Sequence, residues 1–201
     1  MIITKTPLRI SFVGGGTDLP SYYNNNKFGS VVSSSIDKYL YVIVKKQNEL
    51  FDERYRLNYS ITENIKNVNH IKNPIIKACI NYLKIKDPLF IGTISDIPAS
   101  SGMGSSSTFC VGLLNALHKL KKIPLNKKKI AELAAHIEMN ILKRNNGKQD
   151  HYAASYGGFN KFIFYKHKTV VKKINLSANN IKKIENNSLL LWTGITRNSS
   201  K

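Results

Sequence analysis

An α+β fold is the architecture that this 201-residue sequence predicts. Strand-like alternation dominates the first half, three- and four-residue periodicity takes over after Met103, and no regular βαβ rhythm joins the two. With 42% hydrophobic residues, the chain can bury a core in one domain or two small ones.

The elements follow in order. Leu8, Ile10 and Phe12 alternate with Arg9, Ser11 and Val13, so the first strand turns Arg9 away from its main apolar row. Residues 31–33, 39–44 and 55–59 read as further strands, residues 74–83 as a helix and residues 89–94 as another strand. From Met103 the period changes: Cys110, Leu113, Leu114, Leu117 and Leu120 recur at helical steps. A second helix begins at Asn126, a good N-cap residue, and carries Ile130, Leu133, Ala134, Ile137 and Ile141 on one face. Residues 162–165 and 169–174 suggest a hairpin. Leu189, Leu190, Leu191 and Trp192 read as a last, strongly apolar strand.

The formal net charge of +19 raises the question of nucleic acid. Only five of the 31 basic residues are arginine (Arg9, Arg54, Arg56, Arg144 and Arg197), and the lysines are scattered. A dedicated reader favours arginine for bidentate phosphate and guanine contacts, so no nucleic-acid partner is expected. No apolar stretch is long enough to cross a bilayer, so no membrane association is expected. Residues 1–5 start straight into strand-like sequence without a signal-peptide pattern, which predicts a cytoplasmic protein. Cys79 and Cys110 match no metal-ligand spacing and are expected to be buried free thiols. There is no internal repeat, and Asn24, Asn25 and Asn26 are too short a run to separate domains.

The most informative segment spans residues 97–107, Ile-Pro-Ala-Ser-Ser-Gly-Met-Gly-Ser-Ser-Ser. It follows a strand and opens a helix, where free backbone N–H groups and the positive end of the helix dipole converge on an anion. Gly102 and Gly104 remove Cβ atoms that would hold a phosphate off the backbone, and Ser105, Ser106 and Ser107 add hydroxyls for phosphate or Mg²⁺. No Gly-Lys-Ser/Thr follows, so this is not a Walker A loop; Ser107 stands where a dinucleotide fingerprint needs its third glycine. Taken alone, the run also fits a Ser/Gly turn with an ordinary serine helix cap.

Together with two further motifs, this loop resembles the GHMP kinases (galactokinase, homoserine kinase, mevalonate kinase and phosphomevalonate kinase). Pro98 and the run from Gly102 to Ser106 match that family's proline, spacer and Gly-Leu-Gly-Ser-Ser motif. Pro7-Leu8-Arg9 and Gly14-Gly15-Gly16-Thr17-Asp18 match its first motif, Pro-x-Arg with a glycine turn ending in Thr-Asp. Galactokinases carry Glu-His where this chain has Gly15-Gly16; that departure resembles the D-glycero-D-manno-heptose 7-phosphate kinase branch. The runs Gly147-Lys148-Gln149-Asp150 and Tyr156-Gly157-Gly158-Phe159 point the same way.

The resemblance implies a two-layer α/β sandwich like that of a ribosomal protein, with ATP and Mg²⁺ as cofactors and a small sugar phosphate as partner. Residues 1–187 would form the N-terminal ATP-binding domain, and residues 188–201 the start of a truncated C-terminal domain. The implied reaction is phosphotransfer from ATP to a hydroxyl, with the anomeric hydroxyl of D-glycero-D-manno-heptose 7-phosphate as the best reading. Fucose, galactose or mevalonate-type alcohols are the alternatives, or an inactive fragment that only binds nucleotide or RNA. A homodimer is left open.

By the same resemblance Asp150 is the candidate catalytic base and Arg9 its neighbour. Pro98, Ser101, Gly102, Met103, Gly104, Ser105 and Ser106 are the ATP-phosphate ligands, and Ser106 and Glu138 the Mg²⁺ ligands. Gly16, Thr17, Asp18 and Arg197 are the substrate residues. At 100° per residue Glu138 lies about 80° from Ile130, at the edge of its helix's apolar stripe, which predicts neither full exposure nor a core position. His151 stands where relatives usually have glutamine.

Overall fold

The structure, a computed structural model, describes residues 1–48 and 50–194. It has the expected α+β architecture: one seven-stranded sheet carries the helices against it. Its organiser is β2 (Gly29–Lys46), an 18-residue strand that has β1 (Ile2–Val13) antiparallel along one flank. On the other flank, β6 (Phe159–Phe164) pairs with the first part of β2 and β5 (Leu89–Ser95) with the last. Beyond β5 lie β3 (Tyr55–Asn58), the one parallel neighbour, and β4 (Thr62–Ile65); beyond β6 lies β7 (Thr169–Lys173) in the expected hairpin.

Alternation along β2 decides which face is covered. Val31, Ser33, Leu40, Val42 and Val44 are buried, and the helices lie over them. The larger core joins Val42, Val44, Leu57, Leu89 and Ile91 of the sheet to Ile76, Cys79 and Ile80 of α2 (Pro74–Tyr82) and to Leu113, Leu114 and Leu117 of α3 (Ser105–Leu120). α2 starts where Pro74 tolerates the first turn and the Asn73 side chain accepts from the Ile75 and Ile76 N–H groups. A smaller aromatic core joins Val31, Phe162 and Phe164 to Tyr152 of α5 (Gln149–Tyr156). Cys79 and Cys110 are free and buried. No helix among the described residues is long and apolar enough to cross a membrane.

Several local expectations are corrected. Leu8 is fully buried, but Phe12 is 47% exposed and lies against Phe159. The β1–β2 register shifts between Pro7 and Arg9 and again between Ser11 and Val13; the first shift sets Arg9 and Ser11 opposite Ser35 and Ser33, on the covered face, and leaves Ile10 and Phe12 on the other face. The helix capped by Asn126 is α4 (Lys127–Ala135), and it does not run on as an α-helix to Ile141. From His136–Ile141 the backbone is π-helical, which changes the angular step, and Ile141 leaves the apolar face. Leu189, Leu190, Leu191 and Trp192 form no strand; they stand exposed, because an apolar run becomes a strand only beside an edge that supplies its hydrogen bonds. Two short helices, α1 (Pro20–Tyr23) and α6 (Ala178–Asn186), and α5 itself were not foreseen. The weak, aromatic-rich pattern of α5 hides its period.

Candidate active site

The glycine- and serine-rich segment is the connection between β5 and α3, as its composition required. α3 begins at Ser105, two residues later than the change of period, with Gly104 as its N-cap at φ +75° and no side-chain cap hydrogen bond. The first-turn N–H groups of Ser105, Ser106 and Ser107 therefore face outward without a side-chain cap, at the positive end of a 16-residue helix. Gly104 is required twice over. Its φ is left-handed, and a Cβ there would stand 3.0 Å from the Asp150 carboxyl carbon.

Arg9 reaches this loop from β1. Its Nε donates to Asp150 Oδ1 at 2.7 Å, its Nη2 lies 2.6 Å from the same oxygen, and its Nη1 donates to the Gly102 carbonyl at 3.0 Å. One guanidinium thus ties the glycine loop to the first turn of α5, where the helix dipole also favours the Asp150 carboxylate. Asp150 Oδ2 has no protein donor among the described residues, which leaves it available to a hydroxyl. Ser11, two residues along the same face of β1, donates to Gln149 Oε1 at 2.7 Å.

Glu138 differs from expectation. It is completely buried, because the π-helical turn carries it inward under α3. Its Oε1 accepts from Ser106 Oγ (2.7 Å) and Arg144 Nη1 (2.6 Å), and its Oε2 from Ser107 Oγ (2.6 Å) and His151 Nε2 (2.7 Å). Burial works to raise its pKa, but the hydrogen bond and charge of His151 and the two serine hydroxyls outweigh it and hold the carboxyl at about 2. Arg144 Nη1 also donates to Ser106 Oγ at 2.6 Å, so a cation rests on both of the oxygens expected to ligate Mg²⁺. That arrangement shows that the pair fits a cation.

Asp18 is buried as well. Its Oδ2 accepts the Gln149 backbone N–H at 3.0 Å and its Oδ1 the Gln149 side-chain amide at 3.2 Å. Burial pushes its pKa up and the Asp150 charge adds to this, while the Gln149 N–H partly offsets both. This contact demands Gly147, where a Cβ would fall 1.8 Å from Asp18 Oδ2. Gly147→Ala is therefore expected to cost about 1–3 kcal/mol through overpacking. Chemical denaturation of the two proteins checks this, and equal midpoints would show that the loop yields freely.

A cleft of about 760 Å³ collects these groups. Arg9, Gly16, Asp18, Gly102, Gly104, Ser105, Ser106, Glu138 and Asp150 line it, as does Arg144. Pro98, Ser101 and Met103 are not in its wall. Nor is Thr17, whose Oγ1 donates to the Gly14 carbonyl at 2.7 Å and accepts the Ser30 N–H at 3.0 Å, locking the glycine turn to β2. Arg197 lies outside the described residues. Sequence reasoning missed Arg144, and its signal was available: it is one of five arginines and falls between Glu138 and Asp150. In the sequence His151 stands out only as a departure, and its burial against Glu138 has no local signal.

Comparison with known proteins agrees with this geometry. Residues 69–158, which contain the loop, Glu138 and Asp150, match the model of the GHMP kinases N terminal domain. The chain is 35% identical to a D-glycero-alpha-D-manno-heptose 7-phosphate kinase from Campylobacter jejuni, over 98% of this chain and 60% of that protein. It is 25% identical to a galactokinase from Pyrococcus furiosus, over 81% of this chain and 46% of that protein. A D-glycero-D-manno-heptose 1-phosphate kinase from Bacteriodes thetaiotaomicron has a crystal structure that superposes with a TM-score of 0.82 at 27% identity, covering 92% of this chain and 63% of that one. The chain thus spans about 60% of the length of the heptose kinase it matches. Loop, carboxylates and similarity agree: residues 69–158 carry the N-terminal domain of the GHMP kinases.

Proposed function

We propose that this domain is the nucleotide-binding part of a kinase that transfers the γ-phosphoryl group of ATP to a hydroxyl of a heptose phosphate, with the anomeric hydroxyl of D-glycero-D-manno-heptose 7-phosphate as the substrate of choice. The observation that carries this reading is the meeting of an uncapped helix N-terminus with an Arg9–Asp150 pair in one cleft. Phosphoryl transfer asks a protein for positioning, charge neutralisation and a proton acceptor. Ser105, Ser106 and the glycine loop hold the phosphates. Asp150 takes the proton of the attacking hydroxyl as its oxygen bonds to the γ-phosphorus and ADP departs. Arg9 fixes the Asp150 carboxylate and the Gly102 carbonyl in one frame.

Ser106 and Glu138 would hold Mg²⁺, which neutralises phosphate charge when bound. Among the described residues no three His, Cys, Asp or Glu side chains form a metal cluster by themselves, so phosphate oxygens and water would supply the other ligands. Gly16 and Asp18 line the cleft and would face the acceptor, with Asp18 shaping the wall through Gln149. Residues 1–187 are proposed as this ATP-binding domain and residues 188–201 as the approach to a second one.

Heptose phosphates are named as substrates for both the Campylobacter and the Bacteriodes relatives, which supports that substrate class. The test is an ATP-Mg²⁺ phosphotransfer assay on heptose 7-phosphate, the unphosphorylated heptose, galactose, fucose, mevalonate and homoserine. Preferential turnover of heptose 7-phosphate is expected. Preference for galactose would favour the second reading, a hexose kinase, to which the galactokinase similarity points.

A further inference from the structure

We propose that Arg144 is an internal counter-cation that occupies the Ser106–Glu138 oxygen pair while nucleotide is absent and moves onto the nucleotide's phosphates when the metal–nucleotide complex arrives. This makes divalent-cation binding dependent on nucleotide, and it rests on the phosphotransfer reading above.

The geometry leaves one approach to Glu138. Its Oε2 is closed off by Ser107 and His151 beneath α3, both buried. Oε1 is the oxygen that Arg144 reaches from the cleft, and there Arg144 Nη1 lies 2.6 Å from Oε1 and 2.6 Å from Ser106 Oγ, two oxygens that are themselves 2.7 Å apart. One nitrogen thus sits where a metal bound by this pair would sit. Two cations cannot share that position, so filling it with metal requires the guanidinium to leave.

Arg144 is built to leave. Its side chain is 27% exposed into an open cleft, whereas the carboxylate is fully covered. Its backbone is fixed: Lys143 turns the chain at φ +52°, and the Arg144 N–H donates to the Glu138 carbonyl at 3.0 Å. The stalk is anchored, then, while the head is free to swing. The place it swings toward is close by, because Ser106 belongs to the first turn of α3, where the phosphates are proposed to bind. A planar guanidinium suits bidentate contact with phosphate oxygens.

Charge supplies the direction of the switch. Without nucleotide, the guanidinium balances Glu138, and a free divalent cation finds no net negative charge to attract it. A nucleotide brings several negative charges with its metal, which compete for Arg144 and release the carboxylate to the metal. The device keeps free divalent cation off the pair.

The test measures Mn²⁺ binding to the full chain by electron paramagnetic resonance without nucleotide, for the wild type, Arg144→Met and the double variant Arg144→Met/Glu138→Gln. Arg144→Met is expected to bind Mn²⁺ about tenfold more tightly than wild type, the ordinary scale of coupling between two ligands. Glu138→Gln on top should erase the gain. Affinity of Arg144→Met within twofold of wild type overturns the proposal. If Arg144→Met fails to melt cooperatively, the unaltered protein still decides. Its Arg144 Nε–H resonance, assigned by its loss in Arg144→Lys, should shift on saturation with a non-hydrolysable ATP analogue and Mg²⁺ but not with Mg²⁺ alone. A resonance that is unmoved by the complex, or moved equally by Mg²⁺ alone, refutes the switch. Gain of Mn²⁺ affinity in a protein that binds no adenine nucleotide would uphold the guanidinium's place and sink the phosphotransfer reading instead.

Discussion

On the proposed phosphotransfer, Asp150→Asn in a complete enzyme is expected to lower kcat by about two to four powers of ten, the range of general-base catalysis, while the KM for ATP changes only a few-fold. The amide keeps the shape of the side chain, and its oxygen can still accept from Arg9, so the glycine loop stays tied to β1 through the Arg9–Gly102 bond. What disappears is the ability to accept a proton from the attacking hydroxyl, which matters only as that bond forms. The Arg9–Asp150 pair is partly open to solvent, with side chains 13% and 23% exposed, so the loss of charge should cost little stability. Steady-state kinetics with thermal melts of both proteins separate the roles. A raised KM with unchanged kcat would make Asp150 a binding residue, and a collapse in melting temperature would make it a structural one.

Glu138→Gln is expected to destabilise the domain by about 3–5 kcal/mol, because it breaks a buried ion pair and strands the partner charges. For a domain of this size that corresponds to a fall in melting temperature of about 10 °C. Ser106, Ser107, Arg144 and His151 all donate to this one carboxylate, and an amide oxygen cannot accept all four.

The acid dependence gives an independent check. The carboxyl is held at about 2 in the folded state against an ordinary 4.5. A depressed folded pKa means that its stabilisation is complete above pH 4.5 and is lost as the pH falls from there toward 2. The shift corresponds to about 3 kcal/mol. Denaturant unfolding at pH 7 and pH 3 should therefore show the gap between wild type and Glu138→Gln narrowing in acid. A gap that is constant with pH would mean that Glu138 is not ionised in the folded protein.

How much of this was legible can be judged from particular residues. The strand-to-helix geometry of the glycine–serine loop was, because a Gly/Ser run between a strand pattern and a helix pattern specifies local backbone geometry, and the loop ends at Gly104 with α3 starting at Ser105. Arg9 was legible through its motif but not through alternation: the register shift after Pro7 sets it opposite Ser35, on the helix-covered face of Val31 and Ser33, and from there it meets Asp150, 141 residues away. The environment of Glu138 was not. An α-helical step puts it at the stripe's edge, and the π-helical turn, which no residue from 136 to 141 announces, carries it to full burial. Thr17 matched a substrate motif and proved to hold a turn, because a hydroxyl's partners depend on how β2 passes beside it.

The sequence by itself determined the α+β class and the strand–loop–helix that presents free N–H groups. These follow from periodicity, glycine content and side-chain chemistry, which act over a few residues. Only the tertiary structure decided that Glu138 is enclosed by four donors, that Arg144 rests on the proposed metal oxygens, that Asp18 grips the start of α5, and that residues 189–192 find no strand partner. Each is a contact or a missing contact between segments distant in the chain or bent by a local irregularity. The free energy of such a contact depends on which groups the whole fold brings together, and local pattern holds no record of that.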